Sequence, residues 1–183
     1  MQPEHLQQIK GYYIEDAKNH FTVIEQYLLN LESIVEDRQE MNRLVCYFKS
    51  VNGGAAMLGI NSIHKTARRL EDFCRCIELD GYSVKVDQKL KDLFMQVFYG
   101  LQELIKQLSQ SSSFTDDKAT QVMSEIEPVM EALNAHLTLL RKQSFSTSQS
   151  DDAIALDLED DLAALDEELL SLFDDFFLGS SSA

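Results

Sequence analysis

The chain has 183 residues, of which 44% are apolar and 26% are charged, and this composition favours a folded helical domain with an appendage. Its net charge of −15 is unevenly distributed, because residues 151–183 carry 11 Asp and Glu and no Lys or Arg. The chain has no basic stripe for a nucleic acid and no apolar run long enough for a membrane span, so we expect neither kind of partner.

The three cysteines, Cys46, Cys74 and Cys76, lie inside helical patterns and have no metal-ligand spacing. We interpret them as free thiols in a reducing compartment, which predicts a cytoplasmic protein. The sequence also contains no phosphate loop and no nucleophile and base at a catalytic spacing, so it predicts no metal, no cofactor and no enzyme activity.

Five amphipathic helical patterns occupy the first 142 residues, and strand patterns are absent. Their apolar residues run over 14–35, 41–58, 63–77, 86–108 and 119–140. The economical fold is all-α: an antiparallel four-helix bundle with its core in residues 8–110 and an additional fifth helix over 116–142. The alternative is that the fifth helix pairs with a second copy, which leaves a homodimer open.

Residues 143–152 are polar and predict a linker, and residues 153–183 predict an acidic amphipathic tail. Because its carboxylates repel one another, we expect the tail to be flexible until its apolar face meets a groove of a second partner. The residues of that face are Leu165, Leu169, Leu172, Phe173, Phe176 and Phe177. A solubilising helix on its own bundle and a connector within a longer protein are the alternatives.

The most unusual stretch is Phe48 to Gly59, which reads Phe-Lys-Ser-Val-Asn-Gly-Gly-Ala-Ala-Met-Leu-Gly. Adjacent glycines inside a helical pattern are unfavourable by about 1 kcal/mol each relative to alanine, and so they need a reason. The run resembles the phospho-accepting helix of histidine phosphotransfer (HPt) domains, including the N-terminal domain of chemotaxis-type histidine kinases. In those domains it reads roughly Phe-His-Thr-Ile-Lys-Gly-Gly-Ala-Ala-Met-Leu-Gly.

The resemblance covers residues 8–110 but departs from the family at the reactive positions. Lys49 stands where the phosphorylated histidine is expected, and Asn52 stands where a helper lysine is expected. Arg68 occupies a position that is often histidine in chemotaxis kinases, whereas Glu71 keeps the carboxylate that orients the imidazole. A lysine ammonium is protonated at neutral pH and has no lone pair with which to accept a phosphoryl group.

The resemblance therefore implies a pseudo-HPt module that docks a response-regulator receiver domain, a histidine kinase or both without carrying phosphate. Its expected docking surface is Lys49, Asn52, Gly53, Ala56, Arg68 and Glu71. Counting along an antiparallel hairpin, we expect Lys49 to lie opposite Glu71 in an exposed ion pair. We also expect Gly53 and Gly54 to keep this surface low, so that a receiver can approach.

Two other interpretations remain open at this point. The chain could be an active phosphotransfer protein with an unorthodox acceptor, of which His64 is the first candidate because it lies nearest in the hairpin. It could instead be a helical adaptor that works through its acidic tail. Of the other histidines, we expect His5 to lie in the terminal segment and His20 and His136 to be packing residues.

Overall fold

The computed structural model describes residues 3–78, 84–110 and 116–148, and the tail predicted over 153–183 lies outside them. Met1–Thr147 groups as one unit and Ser148–Ala183 as a second. Every regular element of the described residues is a helix, so the all-α class is confirmed for them. The helices are α1 (Pro3–Leu29), α2 (Leu31–Ile34), α3 (Arg38–Met57), α4 (Asn61–Glu78), α5 (Gln88–Gln110) and α6 (Asp116–Ser148).

The first predicted helix is interrupted where the sequence pattern is continuous. Asn30 leaves the helical region with φ −106° and ψ 25°, and its side-chain amide donates a hydrogen bond to the Gln26 carbonyl at 2.8 Å. Asparagine competes in this way with the backbone for hydrogen bonds, which ends α1 and starts the short α2. Apolar spacing alone does not reveal the break, because Leu31 remains buried in the same core.

Both ends of α3 are set by local chemistry. Asp37 caps its start, where the carboxylate accepts hydrogen bonds from the backbone N–H groups of Gln39 and Glu40 at 2.8 and 3.2 Å. At its end Gly59 adopts φ +69°, and the Ile60 N–H donates to the Ala55 carbonyl at 2.9 Å. This left-handed glycine cap ends the helix where the sequence predicts, and it turns the chain into α4.

Four long helices pack side by side, with α3 between α1 and α4, and α5 against both α1 and α4. The ring of Phe21 on α1 meets that of Phe98 on α5 edge to face at 5.5 Å, and Phe73 on α4 meets Phe94 on α5 at 6.1 Å. These apolar contacts fix the core, so the side of α3 turned away from it is left as surface.

The fifth predicted helix, α6, buries its apolar stripe within its own chain. The methyl Cγ2 of Ile126 packs directly on Gly100 of α5, and the Met123 sulfur accepts a hydrogen bond from Thr66 of α4 at 3.4 Å. The buried residues of this stripe are Ala119, Val122, Ile126, Met130, Leu133, Leu137 and Leu140. The helix continues to Ser148, six residues into the stretch for which the sequence predicts a linker.

No helix of the described residues has both the length and the apolar character needed to cross a membrane.

Candidate functional site

The predicted surface lies on the outward side of α3, and the structure divides its residues into two depths. Lys49, Gly53 and Ala56 are exposed on α3, and Arg68 is exposed on α4. Asn52 and Glu71 are instead buried, at 7% and 4% exposure. Only part of the predicted set is therefore available to a partner, and the other two residues lie beneath it.

The predicted pairing across the α3–α4 hairpin is wrong by about one helical turn. Glu71 accepts a hydrogen bond from the Asn52 amide Nδ2 at 3.2 Å, and the expected Lys49–Glu71 ion pair does not form. Side chains on a helix lean toward its N-terminus, which points the side chains of two antiparallel helices in opposite directions along the hairpin. Counting backbone levels ignores this lean, so it pairs Glu71 with a residue of α3 that lies about one turn too early in the sequence.

The Glu71 carboxylate accepts hydrogen bonds from two side chains of the α3–α4 hairpin. Besides the Asn52 amide, the Arg75 guanidinium donates to its other carboxylate oxygen at 2.9 Å. This hydrogen bond is the main cause of a raised pKa of Arg75. A buried carboxylate requires such partners, and both are supplied within the chain. The carboxylate of Glu71, for which the resemblance implies an orienting role, is thus already hydrogen-bonded within the chain.

Arg68 also has a partner, because its guanidinium lies 3.4 Å from the Asp72 carboxylate one turn along α4. Burial raises the pKa of Asp72, and the charge of Arg68 offsets only part of that effect. The exposed guanidinium therefore sits on the surface as half of an ion pair.

The two adjacent glycines have different roles. A Cβ at Gly54 would overlap the ring of Tyr13, coming 2.6 Å from its Cε2, whereas a Cβ at Gly53 would meet nothing within 4 Å. The Tyr13 hydroxyl donates to the Val51 carbonyl at 3.1 Å, and burial raises the pKa of this phenol. Gly54 is therefore explained by packing against α1, which corrects the expectation that both glycines serve the surface. Gly53 has no such explanation within the described residues.

Sequence reasoning missed two neighbours of Lys49 on this side of α3. Met57 is 86% exposed one turn after Gly53, and Cys46 is exposed one turn before Lys49. The helical spacing of Cys46, Gly53 and Met57 could have identified them as one outward strip. We define the α3 face as Cys46, Lys49, Gly53, Ala56 and Met57. Lys49 carries its only charge, between small side chains and one methionine.

The described histidines lie away from this face or in packed positions. His64 is half-buried, with Nδ1 buried and unpartnered, and His20 lies 3.2 Å from Asp16 and contacts the ring of Tyr47. His136 is 7% exposed, and its Nε2 lies 2.9 Å from both carboxylate oxygens of Asp87. His20 and His136 are therefore the packing residues that the sequence predicts.

Within residues 3–78, 84–110 and 116–148, no three His, Cys, Asp or Glu side chains lie close enough together to hold a metal ion. The three cysteines are free thiols, with Cys74 buried, and burial raises its pKa strongly.

The all-helical fold is consistent with the family that a comparison of the chain identifies. The family model described as Hpt domain matches residues 8–111, which is more than half of the chain. The chain belongs to the HPt domain family, whose members are phosphotransfer modules of phosphorelay signalling. The match covers nearly the same residues, 8–110, over which the sequence resembles the family. Searches of the curated proteins and of the solved structures find no match.

Proposed function

We propose that this chain is a pseudo-HPt interaction module of a two-component or chemotaxis-like pathway, which docks a receiver domain or histidine kinase without carrying phosphate. One observation supports the proposal: Lys49 is exposed on α3 of an HPt-family chain, at the position where the resemblance places the acceptor histidine. The surface around it is still suited to close approach, since Gly53 is exposed with no neighbour inside the chain.

Two further features argue against phosphoryl transfer at this position. A histidine acts as nucleophile through a neutral ring nitrogen, whereas a protonated ammonium has no lone pair to offer. The carboxylate that would orient such a ring, Glu71, is buried and bound to Asn52 and Arg75. The proposed acceptor position thus has no imidazole, and the carboxylate that would orient one is already bound within the chain.

Phosphoryl transfer from a phosphorylated receiver of the source organism tests the proposal. We would compare the wild type with Lys49→His plus Asn52→Lys, which restores both family residues. The matched control is Lys49→Gln plus Asn52→Lys, which has the same second change but no imidazole. We expect acid-labile phosphate on the first double variant only.

Labelling of the wild type would overturn the proposal. In that case His64→Gln is the next variant, because His64 is the nearest histidine of the hairpin and its buried, unpartnered Nδ1 leaves the opposite ring nitrogen as the one to test. Loss of the label in His64→Gln would establish an active phosphotransfer protein with a displaced acceptor.

The cytoplasmic location and the docking role of residues 153–183 belong to the same proposal. The charge distribution supports the latter, since 11 of the 31 acidic residues lie in the last 33 positions together with regularly spaced Leu and Phe. A peptide of residues 153–183 that binds no protein of the pathway at micromolar concentration would remove this second docking segment from the proposal.

A further inference from the structure

We infer that the α3 face binds a receiver domain in its metal-free form, with the Lys49 ammonium taking the place of the divalent cation in the receiver's carboxylate pocket. The inference rests on the proposed function and deepens it, because it names the state of the partner. Its consequence is that Mg²⁺ and this protein compete for the same receiver.

The first observation is that Lys49 is an uncommitted cation. Its side chain is exposed, and within the described residues it has no ion pair, in contrast to Arg68 with Asp72 and Arg75 with Glu71. Asn52 contributes to this state, because its amide satisfies a Glu71 oxygen that lies on the same side of the hairpin. An ammonium without an internal partner can be transferred to a partner's carboxylates without first breaking an ion pair.

The second observation is the shape of the surface around that charge. The α3 neighbours of Lys49 on this side are Cys46, Gly53 and Ala56, all small and exposed. A Cβ at Gly53 would have nothing within 4 Å, so a partner's backbone can come close to the helix there. The four-carbon stem of lysine carries its charge beyond these short side chains and into a concave partner surface.

The third observation is charge complementarity. Helices α3 and α4 together carry seven Lys and Arg against four Asp and Glu, a net of +3, in a chain whose net charge is −15. The hairpin that presents Lys49 is therefore locally basic in an acidic protein. Such a surface favours association with an acidic partner.

The chemistry of the partner follows from what an aspartate in the receiver's carboxylate pocket needs in order to accept a phosphoryl group. Phosphoryl transfer requires a divalent cation to neutralise developing charge, and Mg²⁺ is held by carboxylates at about 2.0–2.1 Å. An ammonium binds the same oxygens by charge-assisted hydrogen bonds of about 2.7–2.9 Å. Both cations cannot occupy these oxygens together, because they repel each other and need the same space.

The test is a binding measurement between the full chain and each unphosphorylated receiver domain of the source organism, by calorimetry or fluorescence anisotropy. It is made in EDTA and in Mg²⁺, with ionic strength matched by NaCl because salt screens exposed charges. The variants are Lys49→Gln and, as a matched loss of one charge, Lys18→Gln on α1, whose side chain lies toward α5.

At Mg²⁺ about ten times its own Kd for the receiver, we expect the apparent Kd of the wild type to rise about tenfold. Reciprocally, this protein lowers the affinity of the receiver for Mg²⁺. Lys18→Gln should behave as the wild type does. Lys49→Gln should bind more weakly in EDTA and lose the response to Mg²⁺, and this also separates the effect from any binding of Mg²⁺ to the acidic residues 151–183.

Two results overturn the inference while the proposed function stands: a receiver that binds equally well or more tightly in Mg²⁺, or an unchanged Mg²⁺ response in Lys49→Gln. If no receiver binds the wild type in either condition, receiver docking itself fails, and the inference fails with it.

Discussion

Two adjacent glycines with the same helical cost are retained for different reasons. Gly54 admits the ring of Tyr13 from α1, whereas Gly53 faces outward with no atom near its missing Cβ. A helix interior that gives up stability at an exposed glycine without gaining a contact is typical of a surface that another molecule approaches. Gly54 and Gly53 can therefore serve as controls for each other when either is substituted.

We predict opposite effects of alanine at these two positions on the free energy of unfolding. Gly53→Ala should gain about 0.5–1 kcal/mol, because alanine is the better helix former and the site is open. Gly54→Ala should lose about 1–3 kcal/mol by overpacking against Tyr13. The higher helix propensity of alanine offsets part of this loss. Urea unfolding followed by circular dichroism measures both. A Gly54→Ala variant as stable as Gly53→Ala would show that the Tyr13 ring can move aside.

At the scale of an element, Asp87 links the start of α5 to α6, which packs beside it. Its carboxylate caps α5 by accepting the Leu90 N–H at 2.7 Å, and it lies 2.9 Å from the Nε2 of His136 on α6. Burial of Asp87 opposes ionisation, but the hydrogen bonds from His136 and from the backbone of Leu90 outweigh it and lower the pKa of Asp87. One residue thus connects a helix start to the helix that packs beside it.

We predict that the stabilisation from Asp87 is lost in acid. Because its pKa is lower in the folded than in the unfolded chain, the contribution is fully present above the ordinary carboxyl value near pH 4 and disappears as the pH falls through the lowered value. Asp87→Asn keeps a capping side chain and removes the charge. Its deficit in unfolding free energy, below about 1 kcal/mol because the site is part-exposed, should therefore shrink between pH 7 and pH 3.

The control for that titration is Asp92→Asn, which removes one charge from an exposed position of the same helix. If the two variants show the same dependence on pH, the contact with His136 contributes nothing specific.

At the scale of the whole molecule, α6 lies outside the family match but contributes to the core. The family model ends at residue 111, whereas α6 begins at Asp116 and buries seven apolar residues. The salt bridge between Arg69 of α4 and Glu127 of α6 adds a contact on the same side. The domain of this chain is therefore larger than the family core.

We predict that a chain ending at Gln110 is much less stable than one ending at Ser148. Each buried aliphatic side chain contributes about 1.5–3 kcal/mol, so losing this stripe costs an amount comparable with the total stability of a small domain. Thermal unfolding of the two chains, with light scattering to follow association, checks this. Equal midpoints with both chains monomeric would mean that the core of residues 8–111 folds without α6.

Much of this architecture follows from local sequence. The apolar spacing predicted the helices, Gly59 predicted the end of α3, and the run from Phe48 to Gly59 indicated the family that the comparison shows. These features depend on residues within one or two turns of each other, so a sequence read in order contains them. The position of Lys49 within that run is likewise visible in the sequence alone.

What only the tertiary structure decided are the contacts between helices. It paired Glu71 with Asn52, assigned Gly54 to Tyr13 and left Gly53 and Met57 exposed. Helical periodicity gives the side of a helix on which a residue lies, but not the offset of two helices or the lean of their side chains. Those quantities depend on packing over the whole core, and they leave Lys49 without an ion pair among the described residues.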